Sequence, residues 1–447
     1  LVAYTITHHT RQSAIGLPFI EKRTYGGEEV SVTEYTMSEI LASVYRLMER
    51  TGLKEGILFL DEINCVSETL APMMLQFLQC KTFGNQALPE GWLIVAAGNP
   101  PEYNKSVRDF DVVTLDRVKR IDVEEDYGVW KEYARRKNLH GAILSYLDIK
   151  KDNFYRIENT ADGLQFATAR GWEDLSELLY AYEKLGIRAD REVVGQYIQM
   201  PRIAKDFANY LELFYKYQKT YHVEGILAGT WENITVLELR EAPFDEKLSV
   251  MGLVLSRLSE EARNTRRQDA LTDALHTALT EFREKIADAP PLTVLDQLLW
   301  KRRTAMKQAR EAGQLDKESR DLRQREINAL EDYRQRLDRE AVAPEGAMDA
   351  VRGWFAEEVQ RRKGLAEATK AMFDNAFRFL ETTFGQGQEL VIFVTEITAG
   401  YDTSWFVEQF GCDAYFRHNR ELLFDSTRHR IREEITAAKA AEQEEHT

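Results

Sequence analysis

Two unbroken apolar runs organise the first quarter of the chain. Residues 56–60 (Gly-Ile-Leu-Phe-Leu) lead straight into Asp61-Glu62, and residues 92–97 (Trp-Leu-Ile-Val-Ala-Ala) lead into Gly98-Asn99-Pro100-Pro101. Short runs without alternation predict central parallel strands covered on both faces. Between them Leu70, Met73, Met74, Phe77 and Leu78 recur at helical spacing. Before them, residues 38–50 place Ile40, Leu41, Val44 and Leu47 on one helical face. Residues 2–6 read as a short strand, and 19–23 with 30–35 read as a hairpin about Tyr25-Gly26-Gly27. Further strand signals lie at 112–115 and 121–123. Strands separated by helices predict a layered α/β sheet over residues 1–123.

The pattern then changes. Residues 124–221 read as mostly helical, with Thr168 as an N-cap before a helix carrying Leu175, Leu178, Leu179 and Tyr182. Residues 222–447 read as a mainly helical accessory region. Its middle is charged and broken at Pro290-Pro291 and near Pro344-Glu345-Gly346, and residues 301–340 mix both signs of charge, as long surface helices do. Gly385-Gln386-Gly387 is a breaker, and the apolar run 390–394 after it predicts a short buried strand. The tail, 428–447, reads as a polar helix.

Composition narrows the classes. Of 447 residues, 44% are hydrophobic, enough for more than one core and against disorder throughout. The formal net charge of −15 makes a non-specific nucleic-acid binder unlikely as a class. The three cysteines, Cys65, Cys80 and Cys412, form no CxxC pair, so neither a disulfide framework nor a zinc ribbon is expected, and a cytoplasmic setting fits. No apolar run approaches the roughly 18 residues of a membrane span, so no membrane partner is expected. The chain does not open on methionine, and an amino-terminal truncation is expected.

Four constellations could carry chemistry. Asp61 and Glu62 end a buried strand, where ligands of open α/β sheets sit. In nucleotide hydrolysis the first acid of such a pair holds Mg²⁺, usually through water, and the second polarises the attacking water. Asn99 follows the second run, and its amide can bind a water or phosphate oxygen between two strand tips; Gly98-Asn99-Pro100-Pro101 is also plain turn chemistry. Arg117 and Arg120 follow in Leu115-Asp116-Arg117-Val118-Lys119-Arg120, where guanidinium forks suit phosphate charge but salt-bridged surface arginines are common. Arg170 opens a helix. Elsewhere, His8 and His9 point to opposite faces of a strand and do not share a metal. Cys65 reads as packing, as does the aromatic stretch 401–415.

Taken in order, these motifs resemble the MoxR-type AAA+ ATPases. Ile57-Leu-Phe-Leu-Asp-Glu-Ile-Asn64 is similar to a Walker B motif with its trailing Ile-Asn, and Ala96-Ala-Gly-Asn-Pro-Pro-Glu102 to a sensor 1 strand. Thr114-Leu-Asp-Arg-Val118 resembles an arginine-finger segment, and Phe166-Ala-Thr-Ala-Arg-Gly-Trp172 a sensor 2 helix start. The resemblance covers residues 1–221. It implies an α/β AAA+ parallel-sheet core with a helical lid, and a chaperone-like ATPase that remodels or activates a partner protein. It implies ATP and Mg²⁺ as cofactors. Asp61 would anchor Mg²⁺ through water and Glu62 would activate the attacking water. Asn99 would position that water, Arg117 would act as finger with Arg120 as second candidate, and Arg170 would couple the lid to the γ-phosphate. A self-assembled ring, six-membered by resemblance, and a von Willebrand factor A domain partner are implied, with the 19–35 hairpin placed where such ATPases engage clients. One departure is large. A Walker A loop needs GxxxxGK[ST], and no Gly-Lys dipeptide occurs here. The sheet is therefore expected to lack its first strand and its phosphate loop. The alternative is a non-hydrolysing protein-interaction scaffold.

Overall fold

The structure, a computed structural model, describes residues 1–6, 14, 16–67, 69–83, 86–100, 116, 118–160, 163–311, 313 and 315–420. It is mixed α/β and 69% helical, so its parallel sheet is a small element. Contacts divide the chain into two units. Leu1–Val123 with Asp296–Ile327 form one, and Glu124–Leu295 with Asn328–Thr447 the other.

The first unit begins with β1 (Val2–Thr5) and the hairpin β2 (Pro18–Tyr25) and β3 (Glu28–Tyr35). Helix α1 (Glu39–Thr51), β4 (Gly56–Asp61) and α2 (Ala71–Cys80) follow. The short strands β5 (Thr82–Phe83) and β6 (Gln86–Ala87) precede β7 (Trp92–Ala96). The apolar runs pair as read: β1 lies parallel to β4 and β4 parallel to β7, in the order β1-β4-β7. Leu58 and Leu60 point into a core with Ile40, Leu41 and Val44 of α1 and Met74 and Phe77 of α2. The expectation of cover on both faces fails. Parallel register puts Ile57 beside Leu93 and Phe59 beside Val95 on the opposite face, where Leu93 is 57%, Ile57 41% and Val95 38% exposed. Helices α1 and α2 line the Leu58–Leu60 face. The hairpin turns on Gly26 and Gly27 at φ 60 and 91, the two positive angles a type I′ turn requires, and its strands are almost wholly exposed. Residues 121–123 form no strand, and Ile121 and Val123 are exposed. Two apolar residues flanking Asp122, with no strand beside them among the described residues, have no ladder to join. The strand signal at 112–115, His8, His9 and the 428–447 tail lie outside the described residues.

The second unit starts with α3 (Tyr127–Lys137), capped where Asp126 accepts from Val129 N at 2.7 Å, and α4 (Gly141–Ile149). A hairpin, β8 (Arg156–Thr160) and β9 (Gly163–Ala167), interrupts the helices, followed by α5 (Ala169–Leu185), α6 (Arg191–Tyr197) and α7 (Pro201–Thr220). Thr168 caps α5 by accepting from Gly171 N, as its position predicts. Trp172 of α5 meets Phe207 of α7 edge-on at 5.3 Å in the centre of this bundle. Then come α8 (Val223–Ala228), α9 (Asn233–Glu241), α10 (Phe244–Lys285), α11 (Pro291–Glu311), α12 (Lys317–Arg339), α13 (Ala347–Phe384), α14 (Gln388–Ala399) and α15 (Tyr401–Phe410). The strand expected at 390–394 is part of helix α14. Leu390, Phe393, Val394 and Ile397 are buried at the i, i+3, i+4, i+7 spacing of one helical face. A five-residue apolar run fits a strand or a buried helical turn equally, and packing decides. Phe406 of α15 stacks on Phe373 of α13 at 5.1 Å and Tyr415 is buried, with Trp405 and Phe410 packed against that core, while Tyr401 stays exposed. Among the described residues no helix is long and apolar enough to cross a membrane.

Charged ties hold α14 to α3 and α4. Lys131 Nζ lies 2.5 Å from Asp148 Oδ1 and 2.8 Å from Glu396 Oε1, and Arg135 also pairs with Glu396. Burial pushes the Glu396 carboxyl up, but the two cations outweigh it and hold it below its ordinary value. A carboxyl lowered on folding stabilises the fold above its unfolded value and loses that contribution as pH falls through it. Stability to urea is therefore expected to drop below about pH 4.5, and Glu396→Gln to flatten that part of the profile. An unchanged acid limb in the variant would remove Glu396 from its cause.

Candidate functional site

Strand β4 carries Asp61 to its carboxyl end and Glu62 just past it. Glu62 takes a left-handed conformation, φ 55 and ψ 38, with its N–H donated to Asp61 Oδ1 at 2.9 Å. The chain then coils into the 3₁₀ turn Ile63–Cys65. The pairing with β7 continues beyond both strands: Ala97 N donates to Leu60 O and Ile63 N to Ala97 O, each at 2.9 Å. Asn64 closes the junction, its Nδ2 donating to the Asn99 carbonyl at 2.7 Å. The acidic pair and Asn99 therefore stand on adjacent tips of one parallel sheet. Sequence reading gave Asn64 no role. Its only signal was its place at the end of the Ile57–Asn64 motif.

Asn64 is buried, and its Oδ1 has no hydrogen-bond partner among the described residues. A Cβ on Gly98 would stand 2.5 Å from that oxygen, so only glycine lets the loop approach so closely. Gly98→Ala is expected to cost roughly 1–3 kcal/mol by prising the clamp open. In urea unfolding, adding it to Asn64→Ala should cost clearly less than it does alone, because the clash partner is gone. Full additivity would show that the two positions do not meet.

The donors at this tip are two carboxylates, the Asn99 amide and the orphaned Asn64 oxygen. Among the described residues no group of three or more His, Cys, Asp or Glu could hold a metal. A caged zinc or calcium does not fit. Mg²⁺ does, because it binds through one or two carboxylates, waters and substrate phosphates. Beside the pair, Cys65 has its thiol pushed above its ordinary value, by burial first and then by the charges of Glu62 and Asp61. That disfavours a thiolate and agrees with the reading of Cys65 as packing.

The arginines are less gathered. Arg117 lies outside the described residues. Arg120 is exposed and paired with Asp122 at 2.7 Å, a surface ion pair of small energetic weight. Arg170 is exposed in the first turn of α5, in the second unit, and makes no ion pair among the described residues. Compared with protein-family models, curated proteins and solved structures, the chain matches none.

Proposed function

We propose that this chain belongs to a MoxR-type AAA+ ATPase, a chaperone-like machine that uses ATP to remodel or activate a partner protein. One observation carries the reading: Asp61-Glu62 and Asn99 occupy neighbouring carboxyl ends of a parallel sheet in the order β1-β4-β7. In this reading Asp61 would hold Mg²⁺. Glu62 takes a proton from the attacking water, and Asn99 orients that water. Bound Mg²⁺ would supply charge neutralisation at the phosphates. Arg117 of a neighbouring copy in a ring, six-membered by resemblance, supplies positive charge, with Arg120 as the second choice. Arg170 links the lid to the γ-phosphate. The exposed β2–β3 hairpin suits client contact, since two lone strands bury little of their own surface. A von Willebrand factor A domain protein is the partner to seek.

The reading requires a phosphate loop from chain outside these 447 residues. The open face bearing Ile57, Leu93 and Val95 is the kind of surface that helices cover in parallel sheets. The lack of any Gly-Lys pair favours the second reading, a scaffold that never hydrolyses nucleotide. The test is phosphate release from Mg–ATP by the protein together with whatever its coding sequence places before Leu1. Turnover supports the ATPase. A protein that neither binds nor cleaves ATP is the scaffold.

A further inference from the structure

At the tip of the parallel sheet Asp61 and Glu62 are half-buried and Asn99 is exposed, whereas Asn64 is only 8% exposed. Polar groups taken into the interior are ordinarily paired. Only half of this amide is. A carbonyl oxygen 2.7 Å away must face a donor, so Nδ2 is the atom turned to Asn99 O. That orientation points Oδ1 at Gly98, where it has no partner among the described residues. A buried acceptor left unpaired costs stability. The Asn99 carbonyl belongs to an exposed residue, and water can serve it in place of Nδ2. Folding therefore gains little from an amide at position 64, and a branched apolar side chain would serve it as well.

The amide does have a geometric effect. Ile63 N donates to Ala97 O at 2.9 Å, and one residue further on Asn64 ties down the Asn99 carbonyl. Pro100 comes next and has no N–H with which to extend the pairing. Among the described residues no hydrogen bond holds the Asn99 side chain, so its direction follows from its backbone. Two residues separate Glu62 from the group that fixes that backbone.

We propose that Asn64 is a positioning residue: by holding the Asn99 carbonyl it sets the Asn99 amide at working distance from the water that Glu62 activates. The inference rests on the ATPase reading. Asn64 acts through Asn99 and not on the nucleotide, so it bears on the rate of cleavage and not on affinity. A misplacement of about 1 Å at a reacting group can cost about a hundredfold in rate.

The test measures phosphate release and fluorescent-nucleotide affinity in the protein together with whatever its coding sequence places before Leu1. Asn64→Leu keeps the branched outline and removes both the donor and the unpaired oxygen. It should lower kcat about 10–100-fold and leave Mg–ATP affinity within about twofold. Its urea midpoint should be no lower than that of the unaltered protein. Asn64→Ala, which leaves more room beside Gly98, should lose kcat to the same degree. Asn99→Ala removes the group through which Asn64 acts, so adding Asn64→Leu to it should lower kcat by no more than about twofold further. Losses that multiply in the double variant, affinity or urea midpoint falling along with kcat, or undiminished turnover in both Asn64 variants would overturn the role of Asn64 and leave the ATPase reading standing. An unaltered protein that does not cleave ATP would overturn that reading and the role with it.

Discussion

Replacing Glu62 by Gln is expected to leave Mg–ATP binding intact and to reduce turnover about 10²–10⁴-fold. Gln matches Glu in shape and can sit at the same left-handed position, so the β4 tip and its junction with β7 should persist. What it lacks is a basic oxygen to take a proton from water. Asp61→Asn should behave differently, weakening nucleotide binding through loss of charge beside Mg²⁺. Phosphate release and fluorescent-nucleotide titration, on the protein together with whatever its coding sequence places before Leu1, separate the two. Undiminished turnover in Glu62→Gln would falsify its assignment as the base.

Asp402→Ala is expected to destabilise the second unit by about 3–5 kcal/mol. Asp402 is 4% exposed and accepts from Arg263 Nε and Arg266 Nε, each at 2.8 Å. It thereby fastens α15 to the middle of α10. Arg263 is itself 9% exposed, and its Nη2 is already buried without a partner among the described residues. Removing the carboxylate leaves that buried cation without the counter-charge it now has. Asp402→Asn keeps an acceptor of the same shape and should cost less. Urea unfolding followed by helical signal measures both, and a loss under about 1 kcal/mol for Asp402→Ala would place the pair among weak surface bridges.

The sheet was legible because its strands are marked at both levels. Residues 57–60 and 93–96 are apolar enough to be strands and end at polar tips, so strand identity and the meeting of those tips could be anticipated together. The uncovered face was not legible, because Ile57 and Leu93 look in sequence like residues of a strand buried on both sides. The run at 390–394 misled for a related reason. Its apolar residues are contiguous, and only Ile397, three places beyond the run, reveals the helical stripe. Long-range ties left no trace at all. Lys131 and Glu396, or Arg263 and Asp402, are ordinary charges in sequence and become structural only when remote helices bring them together. The Asn64 clamp falls between these cases, its residue quoted within a motif but its geometry set by the neighbouring strand.

The backbone at position 62 bears on what shaped this chain. A non-glycine residue there forgoes roughly 1 kcal/mol that glycine would recover by tolerating the left-handed region. For folding alone, then, the better choice is the residue without a side chain. Under the proposed function, that deficit is what the chain gives up in durability to keep a carboxylate at the strand tip.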